Sequence, residues 1–310
     1  MQIRKRHIPL FMSVNNDTLP YLAVTLKSLS EHLNDETVVN VRILTSGLAT
    51  YNQRKLRHIK IDNVDITIVD VNSRLEDYRA DFEERLGSFY GEECFYPFFI
   101  AEMYPRLARA IYLECGTLVR DDIEKIYQSE LGDNFIGGMR SEDELDAKFN
   151  LYREMWVGVD PNGYIDSSVM IMNLSLLRRH RIVNRFVRLL TGYNFDTVSA
   201  ASDYINFLCK GRTVVLNEEW RTSDGSNGIA FFAPYRRPWH YVGTRYADEF
   251  WDTARRTPFY DDVRSAYFAF NEEEKEREEK VLQKVFIHAD ELAKSSGGFY
   301  QVLGDNYLVE

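Results

Sequence analysis

A chain of 310 residues has room for one large α/β domain or two smaller ones. Hydrophobic residues make up 45% and charged residues 28%, the proportions of an ordinary globular protein, and no run approaches the ~18 apolar residues of a membrane helix. The net charge of -10 argues against a broad nucleic-acid surface, and the basic start Arg4-Lys5-Arg6-His7 is too short to reverse that; it reads as a solvated terminus rather than a lipid contact.

The segment Ile8 to Val14, IPLFMSV, reads as a buried strand, and NNDTLP after it as a loop rich in capping residues. Tyr21 to Leu33 has helical spacing, with Leu22, Leu26, Leu29 and Leu33 on one face. VNVRILTS is the next strand, YNQRKLRHIKI the next helix and VDITIVDV, Val64 to Val71, the third strand. GEECFYPFFIAEMYP, Gly91 to Pro105, turns helical near its end, and AIYLECG is a fourth strand. Asp121-Asp122 then open a helix, where carboxylates favour the N-terminal dipole. Strands alternating with helices predict a mostly parallel, doubly covered sheet. Such sheets bind ligands at the carboxyl ends of their strands, which places Val14-Asn15-Asn16-Asp17 and Glu114-Cys115-Gly116 on one rim.

Further on, NFIGGMR predicts a strand broken by glycine. Tyr164 to Leu190 predicts a strand running into one long helix. SAASDYINFLCKG predicts a helix with a glycine stop, TVVLNEEWR a strand, and Asp224 to Trp239 a loop. The charged stretch from Asn271 to Ser295 predicts a solvated helix whose Val281, Leu282, Val285 and Phe286 pack on the domain or on a partner. The organisation expected is one domain over 1–262 and a helical extension over 263–310. Cys94, Cys115 and Cys209 lie far apart in an odd number, which fits a reducing cytoplasm better than a disulfide framework. HIPLFMSV is too short for a signal-peptide core.

Several segments, in order and spacing, resemble glycosyltransferase family 8, the glycogenin-like and bacterial galactosyltransferase-like enzymes of GT-A fold. PYLAVTLKSL is similar to that family's first helix, and AIYLECGTLVRDDI to its strand-to-DxD segment. YIDSSVMIMNLSLLR is similar to its YFNSGVMLINL segment, SDYINFLCKGRTVVLNEEWR to its DQD block, and RRPWHY with YADEFWDTARRTPFYDD to its closing block. The resemblance covers roughly residues 7–262. It implies a Rossmann-like, mostly parallel sheet flanked by helices, and retaining transfer of a sugar from a nucleotide-sugar such as a UDP-hexose. It also implies a divalent cation, Mn²⁺ or Mg²⁺, on the diphosphate, since the leaving group develops charge that a hard cation stabilises.

The polar positions depart from the family. Glu114 stands at the first DxD position, Gly116 at the second and Phe231 at the metal-binding His. Pro234 replaces a phosphate-approaching glycine, Asn15 a base-contacting Asp in the loop SVNNDT, and Pro97 an Arg. Ala201-Ser202-Asp203 stands for DQD and Asp166-Ser167-Ser168 for NSG. Arg237 remains at the diphosphate-binding Lys position, with Arg236 beside it.

Ser13, Asn15, Asp17, Glu114, Arg236 and Arg237 are therefore the candidate nucleotide-sugar contacts, with Asn15 to Asp17 also readable as a helix cap and Glu114 as a salt-bridge partner. Asp166, Ser202 and Asp203 are the candidate catalytic residues; Asp203 also reads as a cap for the helix after it. No resident metal is expected unless the site is rearranged, because one carboxylate holds Mg²⁺ or Mn²⁺ poorly. Cys115 reads as an inert thiol, and Ser141 to Asp146 as a solvated acidic loop.

Three functions stay open. The first is a pseudo-glycosyltransferase, a homo-oligomer or the partner of an active glycosyltransferase. The second is an active, metal-independent transferase with Arg236 and Arg237 on the diphosphate, and the third a glycan-binding module.

Overall fold

The computed structural model describes residues 5–59, 61–86, 88–141, 144–304 and 307. Arg4, of the basic start, and Glu142 and Asp143, of the acidic loop, lie outside them. The strands are β1 (Arg6–Ser13), β2 (Thr37–Thr45), β3 (Val64–Asp70), β4 (Ala110–Leu113), β5 (Leu118–Val119), β6 (Ile136–Gly138), β7 (Val169–Met172), β8 (Thr213–Val215) and β9 (Ile229–Ala230). The chain divides into two compact units, each built from three segments. The first comprises Met1–Arg74, Ala110–Ser129 and Glu218–Glu278; the second comprises Leu75–Arg109, Glu130–Asn217 and Glu279–Glu310.

In the first unit β1 pairs in parallel with β2 from Arg6↔Thr37 to Ser13↔Leu44, and with β4 at Leu10↔Ile111 and Phe11↔Tyr112. β2 pairs in parallel with β3 from Val39↔Val64 to Thr45↔Asp70. Ile8, Leu10, Phe11 and Met12 are all buried, so β1 reads as a continuous apolar run, as a parallel strand covered on both faces requires. The helix Leu19–Glu31 follows β1 and buries Leu22, Leu26 and Leu29 on its predicted face. It ends before the expected Leu33, as the His32 N–H bonds to the Leu29 carbonyl.

Helix Ile123–Gln128 opens as predicted, with the Asp122 carboxylate accepting the Glu124 N–H. The stretch Asp224 to Trp239 is not all loop: β9 pairs antiparallel with β5, Leu118↔Ala230 and Val119↔Ile229. A core of Tyr21, Val24, Leu118, Ala230, Trp239 and Phe250 packs beneath that ribbon.

In the second unit β6 runs antiparallel to β7 and parallel to β8. Its core is aromatic. Phe98 stacks on Phe186 with ring centroids 3.7 Å apart, and Tyr204 meets Phe186 edge-on at 5.5 Å. Phe299, fully buried in the helix Phe299–Leu303, stacks on Phe195 at 4.2 Å.

The long helix expected after β7 is two helices, Leu174–Arg179 and Ile182–Gly192, broken at Arg181, which is left-handed at φ 53 and ψ 41. The strand expected over TVVLNEEWR is confined to β8. The charged tail is helical over Glu272–Lys294. Its Phe286 packs on Phe149 at 5.0 Å, beneath the Lys148 ammonium, so this side chain covers its own chain. Among the described residues no helix is long and apolar enough to cross a membrane.

Candidate functional site

The candidate nucleotide-sugar residues belong to the first unit and the candidate catalytic residues to the second. In the first, β1 ends at Ser13, whose hydroxyl is buried and has no hydrogen-bond partner among the described residues. The Asn15 side-chain oxygen accepts the N–H groups of Asp17 and Thr18, both at 2.9 Å, and the Thr18 hydroxyl at 3.1 Å. That is a local turn device leading into the helix at Leu19. Asn16 accepts the Ala49 N–H at 2.8 Å. The Asn-Asn-Asp loop is therefore a turn ahead of the helix and not its cap: the N-cap is Thr18, which makes no side-chain capping bond, and Asp17 stays exposed.

After β4 the chain turns through Glu114-Cys115-Gly116. The Glu114 carbonyl accepts the Thr117 hydroxyl at 2.9 Å, and the Cys115 thiol donates to the Ser13 carbonyl at 3.1 Å. The helix Leu19–Glu31 pins the turn from below: Thr25 Oγ1 accepts the Gly116 N–H and Ser28 Oγ the Val119 N–H, each at 3.0 Å. Gly116 sits at φ +91, where a side chain is strained. An ideal Cβ placed on it would lie 2.4 Å from Cη2 of Trp239. That indole is buried, stacked on Tyr21 at 4.1 Å and packed on Phe250 at 5.1 Å. The space a side chain at this position would enter is occupied by a buried, stacked ring.

Arg237 lies with its guanidinium 5.9 Å from the Trp239 ring centroid. Among the described residues it makes no ion pair, and Arg236 beside it is exposed. Arg237 charges its surroundings. Burial pushes the Tyr21 hydroxyl up to about 12, with Arg237 opposing the rise and Asp17 adding to it. Burial, then Arg237, holds the His240 imidazole down at about 4. His240 Nδ1 is buried without a hydrogen-bond partner, 3.9 Å from a Glu278 oxygen, and its ring stacks on Phe270 at 4.0 Å. Burial raises the Glu278 carboxyl, which accepts the Tyr241 hydroxyl at 2.5 Å.

The residues that the resemblance sets at the family's divalent cation do not by themselves make a cation site. Glu114 supplies one carboxylate, the Gly116 position is closed by Trp239, and Phe231 carries no donor atom. Among the described residues no group of three or more His, Cys, Asp or Glu is placed to hold a metal ion.

In the second unit Asp203 is fully buried in the first turn of the helix Ala201–Leu208. Its carboxylate accepts the Tyr152 hydroxyl at 2.8 Å, the Tyr164 hydroxyl at 2.7 Å and the Ser199 N–H at 2.8 Å. It thus bonds backward and to two phenols, rather than capping the helix that follows. Burial raises its pKa against those three donors, and burial with the Asp203 charge raises both phenols well above 10. Arg153 lies 4.2 Å from the Tyr164 ring and makes two 2.7 Å bonds to Asp146 of the acidic loop, which is therefore anchored at that residue.

Asp166 accepts the Ser168 N–H at 2.8 Å, and burial of its carboxyl raises its pKa. Ser202 lies 2.7 Å from the Ser167 hydroxyl. The Asn206 amide takes the Ile165 N–H and returns a bond to the Ile165 carbonyl, at 2.9 and 2.8 Å. Ser202 and Asp203 adjoin in the helix Ala201–Leu208, whereas the Asp166 carboxylate bonds within its own turn, to Ser168. Nothing in the sequence marks Tyr152, Tyr164 or Asn206 as members of these networks, or Trp239 and His240 as members of the first group, since each is joined across a long separation.

A mostly parallel α/β fold whose fourth strand ends in such a turn defines the GT-A class of glycosyltransferase. The family model of glycosyl transferase family 8 matches residues 9–229, and the chain belongs to that family. It is 20% identical over 224 residues to General stress protein A of Bacillus subtilis (strain 168), covering 70% of this chain and 75% of that protein. Among solved structures it is similar to apo WbbM, a bifunctional glycosyltransferase, with TM-score 0.68, 14% identity and 84% of this chain covered. The chain spans only 51% of WbbM. It is also similar to the galactosyltransferase LgtC in complex with donor and acceptor sugar analogs, with TM-score 0.64, 18% identity, and 81% of this chain and 96% of that chain covered. The glycosyltransferase GlyE of Streptococcus pneumoniae TIGR4 matches with TM-score 0.59 and 14% identity over 86% of this chain and 64% of its own.

Proposed function

We propose that this family 8 chain has lost the cation-dependent donor site and acts in glycan or glycoconjugate biosynthesis as a pseudo-glycosyltransferase, the partner of an active glycosyltransferase. The carrying observation is the Trp239 ring against Gly116. Loss of the metal is then built into the aromatic packing, beyond the change of one residue. The glycosyltransferase-like part is assigned to 1–262 and the helical extension to 263–310. A cytoplasmic setting is suggested by the cysteine usage.

One observation favours a second reading, an active metal-independent transferase of UDP-hexose. Arg237 is a partly exposed guanidinium with no ion pair among the described residues, and a cationic clamp can neutralise a diphosphate in place of a metal. In that reading Ser13, Asn15, Asp17, Glu114 and Arg236 complete the donor contacts. Asp166, Ser202 and Asp203 belong to the catalytic side, where no nucleophile is assigned.

The deciding experiment is calorimetric titration with UDP and UDP-sugars, with and without Mn²⁺. The pseudo-enzyme reading expects no heat at millimolar ligand in either case. Metal-independent binding abolished by Arg237→Ala moves the conclusion to the second reading. Micromolar binding that requires Mn²⁺ overturns both.

A further inference from the structure

The break between the helices Leu174–Arg179 and Ile182–Gly192 builds a feature that the family resemblance does not use. Arg181 holds a left-handed conformation that no glycine, Asn or Asp eases, and such strain persists where the surroundings fix it. The break turns Arg179, His180, Arg181, Arg185 and Arg188 around a cavity of about 410 Å³, closed on one side by Tyr307. Among the described residues no carboxylate lines it. Elsewhere the chain pairs its arginines with acids, as in Arg120–Glu249, Arg153–Asp146 and Arg256–Glu31. Among the described residues Arg179, Arg181 and Arg188 make no ion pair, and all three are exposed. In a chain of net charge -10, this grouping is not the by-product of a basic surface.

Tyr307 holds two of the groups in place. Tyr307 donates its hydroxyl to the Arg185 carbonyl and accepts a bond from the Arg185 guanidinium at its own carbonyl, each at 3.3 Å. Its ring lies 5.6 Å from the Arg188 guanidinium. Arg181, Arg185 and Arg188 follow one another at helical spacing, so their forks face the same way. Burial, then Arg212, Arg185 and Arg179, lowers the His180 pKa, leaving that ring neutral and able to accept or donate one hydrogen bond.

We infer that this cavity binds the diphosphate group of a phosphorylated ligand. Four guanidiniums on one short arc match two adjacent phosphates, which together carry on the order of three negative charges at neutral pH. Arginine forks take phosphate oxygens in pairs, and the cavity has room for a headgroup but not for a duplex. The diphosphate can come from a soluble nucleoside diphosphate or from a lipid headgroup, since both present the same oxygens.

The test uses full-length protein carrying Arg237→Ala, so that failure of this cavity is distinguishable from failure of the candidate donor site. Inorganic pyrophosphate is titrated calorimetrically without metal. Binding is expected, at least tenfold tighter than that of orthophosphate. Arg181→Gly removes one guanidinium while supplying a residue at ease in the left-handed region, so binding should weaken about tenfold as Tm rises by about 2 °C. Arg181→Ala combined with Arg188→Ala should remove binding. UDP bound as tightly as pyrophosphate would place the source in soluble nucleotides. Sedimentation with phosphatidylcholine vesicles containing a long-chain prenyl diphosphate, but not with plain vesicles, would place it in lipid. No pyrophosphate binding at millimolar concentration, equal affinity for orthophosphate, or binding untouched by Arg181→Gly in a folded protein would each overturn the assignment.

Discussion

A methyl group on Gly116 would overlap the Trp239 indole at 2.4 Å, so the backbone conformation of one residue and the ring of another 123 positions on define each other. Gly116→Ala should cost about 2–4 kcal/mol, the sum of a strained positive φ and an overpacked contact. Urea unfolding should show a lower midpoint at unchanged slope. Gly116→Asp alone should gain no Mn²⁺ affinity, because the carboxylate has no room. Calorimetry showing Mn²⁺ bound by that single variant would sink the occlusion argument.

Removing the Asp203 carboxylate should be among the costlier single changes in the second unit. Asp203→Ala leaves two phenols and the Ser199 N–H without their acceptor, at about 3–5 kcal/mol. Tyr164→Phe removes one donor and should cost about 1 kcal/mol. Thermal unfolding of the two variants and their double gives the coupling energy, which is near zero only if the phenol and carboxylate act separately.

Stability should fall in mild acid through His240. Its folded pKa of about 4 lies below the ordinary 6.5, so between those values the unfolded chain binds the extra proton. The contribution is complete above about pH 6.5 and is lost as pH drops toward 4. His240→Gln should flatten this part of the stability profile, measured by unfolding between pH 4 and pH 7.

The same imidazole reports on Arg237. Because Arg237 helps to hold His240 down, Arg237→Ala should move the histidine titration upward in NMR. UDP added in the presence of chelator should do the same if its diphosphate neutralises Arg237. An unmoved His240 resonance at millimolar UDP would exclude the metal-independent donor reading.

Much of the framework was legible because it is local. The apolar run at Ile8, the leucine face at Leu22, Leu26 and Leu29 and the Asp122 cap each state their structure within a few residues. The break at Arg181 was not legible, since arginine is an ordinary helix former and only tertiary packing holds it left-handed. Nor was β9, whose two residues, Ile229 and Ala230, carry no alternation. Gly116 stands out in the sequence as a break after the fourth strand, but its physical meaning depends on Trp239, which no pattern near Gly116 announces.

The division of the first unit into Met1–Arg74, Ala110–Ser129 and Glu218–Glu278 also has a temporal side. On the ribosome, β1 to β3 emerge early, yet the strand that partners β5 and the tryptophan that closes the Gly116 turn come more than 100 residues later. The growing chain must therefore carry an open turn and an uncovered apolar floor while more than 100 further residues are made. That interval is the one in which a chaperone or a companion subunit has the greatest surface to hold.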